Sequence, residues 1–370
     1  MARRPTIKDI ARQAGVSESA VSFALNDRPG VSKDTRARIR RVAEELGWQP
    51  NSAARALSGE HSGAVGLVLA RPAHTLGVES FFLQLVSGIQ EVLAAGRIAL
   101  LFQVVEDLDA ECAVYRRWWA ERRVDGVVVV DPRTDDPRPA LLAQLGLPAV
   151  TVGETGPPGE SGRPGESGRP GETGPCSAPP APLAPPTLSA VLADDAGAMA
   201  EVLDHLYGLG HRRIAHVAGL PGLAHTERRI RSLHAEAERL GLGPGQVRSV
   251  PTDYSDAEGA AATRRILAEP QPPTAIVYDN DVMAVAGAAV AAELGIPVPG
   301  RLSIVAWDDS ALCRVTHPRL TALVRDTAGF GRLAAEELLA VLAGSPPRSR
   351  ESERPRLEPR ESTAPPPAAY

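Results

Sequence analysis

Residues 6–26 read TIKDIARQAGVSESAVSFALN, and their polar and apolar spacing sets two short helices joined by one tight turn. Thr6 suits a helix N-cap, because its hydroxyl can accept an orphaned amide of the first turn. Asp9, three residues on, makes a capping-box pair and puts negative charge at the positive helix end. Ile7, Ile10, Ala11 and Ala14 then share one helical face. Gly15 ends this helix and permits the turn, and Val16 fills the inside of it. Ser17 caps a second helix in which Ala20, Val21, Ala24 and Leu25 form the inward stripe. The arrangement is a helix-turn-helix, although the same spacing fits an αα-hairpin of a larger helical domain. In a helix-turn-helix that reads DNA, the outward residues Glu18, Ser19, Ser22 and Phe23 would face base edges in the major groove.

The next stretch favours the DNA reading. Pro29 and Gly30 mark a turn, Ser32 starts a third helix, and Gly47 stops it. Ile39, Val42, Ala43 and Leu46 point inward, with Arg36, Arg38, Arg40 and Arg41 on the exposed side. Residues 1–60 hold eleven basic and seven acidic side chains, +4, within a chain of net charge −5. A basic end on an acidic protein implies a polyanionic partner for that end alone.

The words TIKDIA, AGVS, AVS, LN, VSKDTR, ELGWQPN and ARALSG occur in this order from Thr6 to Gly59. This run resembles the DNA-binding head of the lactose-repressor (LacI/GalR) family of bacterial transcription regulators. The resemblance implies a three-helix headpiece, a hinge helix and a homodimer that reads a near-palindromic double-stranded operator. It assigns DNA contacts to Thr6, Ser17, Glu18, Ser19, Ala20, Ser22, Phe23 and Asn26 in the headpiece. In the hinge it assigns them to Asn51, Ala54, Arg55 and Leu57. Arg55 would lie near the phosphates, and Leu57 would wedge into a central base step from the minor groove. Residues 52–58 are too few for a helix stable alone, since isolated helices below about 12–15 residues are marginal in water. Taken without the headpiece, 51–59 would be an ordinary linker.

Composition agrees with a globular chain: 43% hydrophobic and 23% charged residues. The start, Met1-Ala-Arg-Arg, has no secretory pattern, and no apolar run reaches membrane-span length, so a cytoplasmic place and no membrane partner are expected. Cys112, Cys176 and Cys313 stand apart without metal-type spacing.

From Ala64 the pattern becomes strand–helix alternation with continuously apolar strands such as Val127-Val128-Val129-Val130. That pattern signals parallel sheets covered on both faces. The words GHRRIAHVAG, DNDVMAVAG and SIVAWDDS resemble the periplasmic-binding-protein-like sensor that the same family carries. The expected fold is therefore an α-helical helix-turn-helix headpiece followed by an α/β, two-lobed, periplasmic-binding-protein-like core. The expected divisions are 1–47 headpiece, 48–60 hinge, 63–152 with 325–343 first lobe, and 187–324 with 356–364 second lobe. Residues 153–186 form a low-complexity Gly/Pro-rich insertion, with glycine at every third position of 153–174. A collagen reading of that period would need three chains to meet there, so disorder is the expectation. Residues 345–355 and 365–370 are expected to be flexible, and Pro359 to leave the closing strand at an edge.

No phosphate-cradling glycine loop, nucleophile–base arrangement or metal spacing appears, so no enzyme, cofactor or metal site is expected. A small-molecule effector, a carbohydrate in this family, needs paired polar groups and an apolar wall. Carried over from the family, Arg229 offers a planar fork to neighbouring hydroxyls, and alternatively belongs to a solvated face with Arg228 and Arg231. Asn280, Asp281 and Asp308 follow strands, at the ends where ligands bind in open α/β sheets. Phe81, Phe82 and Trp307 are candidates for the wall, although Phe82 reads as a core residue before a wall residue. Three departures from the family stand out. Phe23 replaces a frequent arginine, and so either touches a thymine methyl or packs inward. Ala306 replaces a glycine, and the first lobe shows no matched polar ligand. The expected function is a sugar-responsive transcriptional repressor. The alternatives are a ligand-independent DNA-binding regulator with a decayed sensor and a cytoplasmic solute-binding protein.

Overall fold

The computed structural model describes residues 5–48, 61–71, 80–154 and 188–367. The chain divides into two units, 1–62 and 63–370. Hinge residues Asn51, Ala54, Arg55 and Leu57, and residues 155–187 of the glycine-rich insertion, lie outside the described residues.

In the first unit, helices α1 (Ile7–Ala14), α2 (Glu18–Leu25) and α3 (Lys33–Glu45) enclose a core of Ile10, Ala11, Ala14, Val21, Ala24, Ile39, Val42 and Ala43. Thr6 forms a capping box with Asp9, and Gly15 takes the left-handed conformation at φ +64° that side chains with a Cβ resist. Ser17 and Ser32 cap α2 and α3 through their hydroxyls.

The second unit holds two six-stranded sheets. The first takes β1 (Ala64–Ala70), β2 (Ala99–Val105), β3 (Gly126–Val129), β4 (Ala149–Val152) and β5 (Ser189–Leu192). The second takes β6 (Ile214–Ala218), β7 (Val247–Pro251), β8 (Ala275–Tyr278), β9 (Ser303–Ala306) and β10 (Thr321–Val324). Late in the chain, β11 (Ser349–Glu351) returns to the first sheet and β12 (Arg356–Glu358) to the second. The spatial orders are β11-β5-β4-β3-β1-β2 and β12-β10-β9-β8-β6-β7, all neighbours parallel except the antiparallel β10–β12 pair.

Helices cover both faces of each sheet, which is why the central strands carry apolar residues at consecutive positions. The first lobe uses α4 (Ser80–Ala95), α5 (Leu108–Ala120), α6 (Arg138–Leu145) and α12 (Thr327–Leu342). Around the second sheet lie α7 (Asp195–Gly208), α8 (Ala224–Arg239), α9 (Asp256–Leu267), α10 (Asp281–Glu293) and the short α11 (Ala311–Val315). Helices α4 and α12 meet with almost no side chain between them. A Cβ at Gly88 would lie 1.9 Å from the Ala328 oxygen, and one at Gly331 would lie 2.1 Å from the Leu85 oxygen.

Two elements depart from the sequence expectation. Residues 189–192, expected in the second lobe, form β5 and pair with β4 of the first sheet. Within 345–355, expected to be flexible, β11 forms a polar edge strand beside β5. Its sequence, Ser-Arg-Glu, carries no apolar signal because an edge needs none. It is held instead by Arg348, whose amide donates to Ser189 Oγ at 3.1 Å and whose Nε donates to Glu337 Oε2 at 2.8 Å. Strand β12 is an edge of the second sheet, and Pro359 falls just beyond its ladder. The chain therefore crosses between lobes three times: β5 to α7, β10 to α12, and β11 to β12.

Candidate functional site

The first candidate surface is the outward side of α2. Glu18, Ser19, Phe23 and Asn26 are exposed, and Ala20 and Ser22 half-buried. The Ser19 hydroxyl lies 3.0 Å from Ser17 Oγ, the capping hydroxyl. Phe23 is 39% exposed, which decides against inward packing. Arg36 corrects the sequence expectation of four exposed arginines on α3. Its guanidinium donates to the backbone oxygens of Phe23 (3.3 Å), Ala24 (3.0 Å) and Arg28 (2.7 Å), and to Asp27 Oδ1 (3.0 Å). These bonds satisfy carbonyls at the end of α2, so Arg36 is a structural clamp.

The second candidate is a cavity between the lobes of the second unit, partly open to solvent. Its lining gathers at the carboxyl ends of strands, as open α/β sheets dictate. Arg71 follows β1, Asp131 follows β3, Gly153 follows β4, and Ala193 follows β5. Across the gap, Tyr254 follows β7, Asp279 to Asp281 follow β8, Asp308 follows β9, and Arg325 follows β10. The starts of α4 and α8 add Phe81 and Phe82, and His225, Arg228 and Arg229.

Charge inside this cavity is arranged in pairs. Arg71 Nε donates to Asp131 Oδ2 at 2.6 Å. Arg228 lies 3.0 Å from Asp195, Arg229 lies 3.3 Å from both Asp195 and Asp279, and Arg325 lies 2.6 Å from Asp308. Asp279 also receives the Gly219 amide at 2.8 Å and meets His216 Nε2 at 3.0 Å. Burial alone would raise the Asp195 and Asp279 pKa values. Arg229 with Arg228 holds Asp195 below the usual carboxylate range, and His216 with Arg229 holds Asp279 well below it. Burial, reinforced by Arg229, pushes His225 down to about 4, so its imidazole is neutral at pH 7. Asp281 is the exception. Its Oδ2 is buried without a hydrogen-bond partner among the described residues, and burial raises its pKa.

Arginine and aromatic faces build the walls. The Arg71 guanidinium sits 5.1 Å from the Phe82 ring of the first lobe and 4.9 Å from the Tyr254 ring of the second. Arg325 covers Phe81 at 4.5 Å. All three distances are within cation–π range. The floor at Asp131 is set from behind by Arg138, which is almost fully buried. It pairs with Glu111 at 2.9 Å and Asp136 at 2.7 Å, and donates to the Val130 and Asp131 oxygens at 2.9 and 2.8 Å. On the cavity's flank, the Ala224 amide of the second lobe donates to Pro132 O at 2.8 Å.

Of the seven sequence candidates, Phe81, Phe82, Arg229, Asn280, Asp281 and Asp308 line the cavity together. Trp307 does not. It is fully buried under Arg229, whose guanidinium lies 4.2 Å from the indole, and so it supports a lining residue and forms no wall. The Asn280 amide already caps α10 through the Met283 N–H (2.8 Å) and donates to Tyr254 O (3.0 Å). Arg229 proves buried and not solvated. The first lobe's polar groups, missed in sequence, are Arg71 and Asp131. The second lobe adds Asp195, His225, Arg228, Tyr254, Asp279 and Arg325. One signal was available: Arg71, Asp131 and Arg325 directly follow apolar strand runs, as Asn280 and Asp308 nearly do.

Among the described residues no helix is long and apolar enough to cross a membrane, and no His/Cys/Asp/Glu group could hold a metal ion. A capped helix-turn-helix ahead of a two-lobed α/β core with a cleft at the strand ends is the architecture of a class of DNA-binding transcriptional regulators. Residues 6–51 match the model of bacterial regulatory proteins of the lacI family, and 203–363 match the periplasmic binding protein-like domain. A solved LacI family transcriptional regulator from Bifidobacterium animalis subsp. lactis is 31% identical, with TM-score 0.68, covering 83% of this chain and all of that one. The chain belongs to the LacI family of transcriptional regulators. The HTH-type transcriptional regulator CelR of Thermobifida fusca is 28% identical over 353 residues, 92% of this chain and 93% of CelR. A CelR–cellobiose complex aligns at TM-score 0.69 with 25% identity over 97% of this chain and all of the other. The probable HTH-type transcriptional repressor ExuR of Bacillus subtilis is 24% identical over 339 residues, 91% of this chain and 92% of ExuR.

Proposed function

We propose that the protein is a repressor that binds a near-palindromic operator as a homodimer and is controlled by a carbohydrate in the interlobe cavity. The observation that carries the reading is the cavity itself. Its lining comes from both lobes, so a ligand there has different contacts whenever the lobes shift, which is the requirement for allosteric control. Arginine forks and carboxylates beside Phe81, Phe82 and Tyr254 suit hydroxyls on an otherwise apolar ring. CelR, whose complex holds cellobiose, supports the class of ligand. In this reading Glu18, Ser19, Ser22, Phe23 and Asn26 face the major groove. Asn51, Ala54, Arg55 and Leu57 act in the minor groove, with Leu57 as the wedge.

One observation favours a second reading, a regulator that has lost its ligand. Every arginine lining the cavity already has a carboxylate partner. Thermal unfolding against mono- and disaccharides separates the two. A ligand at about 100 times its Kd adds roughly 2.7 kcal/mol and raises the midpoint. A hit that also changes operator affinity supports the sensor; a flat panel favours the ligand-free regulator.

A further inference from the structure

We propose that α2 reads each operator half-site through a thymine 5-methyl group packed on the Phe23 ring, and not through an arginine–guanine pair. The inference rests on the operator-binding reading above and names the base chemistry of that same surface.

The outward positions of α2 (Glu18, Ser19, Ser22, Phe23 and Asn26) include no cation. Arg36, which reaches the end of α2, has its guanidinium committed to three backbone oxygens and Asp27. Phe23 is therefore the dominant feature of the face. Its backbone is clamped, since its oxygen accepts from the Arg28 amide at 2.9 Å and from Arg36 at 3.3 Å. Val21 and Ala24, fully buried, occupy the inward positions, so the ring has no inward alternative on this helix. One edge of the ring rests on the turn: a Cβ added at Gly30 would sit 3.5 Å from Phe23 Cδ2. The other side is left to solvent.

Base edges in the major groove offer one apolar group, the thymine methyl; the rest are hydrogen-bond donors and acceptors. A phenyl ring pressed on guanine O6 and N7, or on an exocyclic amine, would strip water from those atoms and return no hydrogen bond. Packed on the methyl, it gains burial at no such cost. The methyl projects only into the major groove, so the reading is chemically separate from any hinge contact in the minor groove.

The test uses the full chain. Operator duplexes are selected from a random library, and each thymine of the selected site is replaced in turn by uracil, which removes only the methyl. Binding is titrated at fixed salt, because phosphate contacts make affinity salt-dependent. One position per half-site should lose affinity about fourfold, and both together about fifteenfold, from the transfer of one methyl-sized group. Phe23→Ala should bind the thymine and uracil duplexes equally, with the wild-type salt slope. Phe23→Arg, selected afresh, should exchange that thymine for guanine. A consensus without any uracil-sensitive position, or discrimination that survives in Phe23→Ala, overturns the inference alone. A selection that yields no consensus overturns the operator reading and this inference with it.

Discussion

Arg229→Met removes one guanidinium from the cavity and leaves its packing over Trp307 largely filled. Arg229 lies 3.3 Å from both Asp195 and Asp279 and is 4% exposed. At an effective dielectric near 20, each contact is worth about 5 kcal/mol of Coulomb attraction. The loss is smaller, because the variant no longer desolvates a guanidinium and neither carboxylate is left bare. Asp195 keeps Arg228, and Asp279 keeps His216 and the Gly219 amide. Breaking a buried pair costs about 3–5 kcal/mol, and the remaining partners place this variant near 3. The pH dependence gives the sharper test. Both carboxylates have folded pKa values below the ordinary one, so their stabilisation is complete at neutral pH and is lost as pH falls toward those values. Removing Arg229 raises the folded values. The difference between wild type and variant should therefore be widest at pH 7 and narrow as pH falls through about 4. Urea midpoints at pH 7, about 4 and about 3 measure it. A loss under about 1 kcal/mol at pH 7, or a difference independent of pH, would refute the paired-charge account.

Arg36→Ala should destabilise the headpiece by roughly 2–3 kcal/mol, because it unpairs carbonyls at the end of α2. Hydrogen exchange should show α2 and α3 amides losing protection while residues 63–370 keep theirs; equal protection in both proteins would sink the clamp. His211, buried against Thr274, Ser303 and the Ala364 oxygen, is pushed down to about 4 by burial. The unfolded chain takes a proton at this residue near pH 6.5 and the folded chain does not, so stability should fall as pH drops from about 6.5 to 4. His211→Gln should flatten that slope, and an unchanged slope would assign it to other groups. Leu57→Ala should weaken operator binding at least tenfold and leave non-specific binding nearly intact, about what loss of a buried apolar wedge implies. Equal weakening of both would remove the wedge assignment.

The headpiece was legible almost residue by residue because its signals are local. The Thr6–Asp9 box, Gly15 at positive φ and the Ser17 and Ser32 caps each act within a few residues of their own positions. The parallel sheets were legible for a similar reason: burial on both faces requires unbroken apolar runs, and β3 is glycine and valine throughout. What escaped were the elements whose position depends on partners far away. Strand β11 is Ser-Arg-Glu, and it is a strand because it pairs with β5, more than a hundred residues distant, beside the Arg348 bonds to Ser189 and Glu337. Arg36 reads as one of four helix-surface arginines until the turn after α2 brings four acceptors to it.

The cavity shows the same division at finer grain. Its location followed from strand ends, yet its chemistry did not, because a side chain's role there depends on which charge faces it. Asn280 read as a ligand contact; it lines the cavity, and both of its polar atoms also serve the backbone around it. Trp307 read as a wall, and its full burial makes it the surface on which Arg229 rests. Arg71 gave no motif at all, being one arginine after an apolar run, and its place between Phe82 and Tyr254 exists only once the two lobes are brought together. That contact spans the cavity, so any ligand ring entering between those two aromatic faces must displace the guanidinium or stack beside it. The same arginine that sequence could not single out thus faces an aromatic ring on each lobe, and a change in lobe spacing acts on it directly.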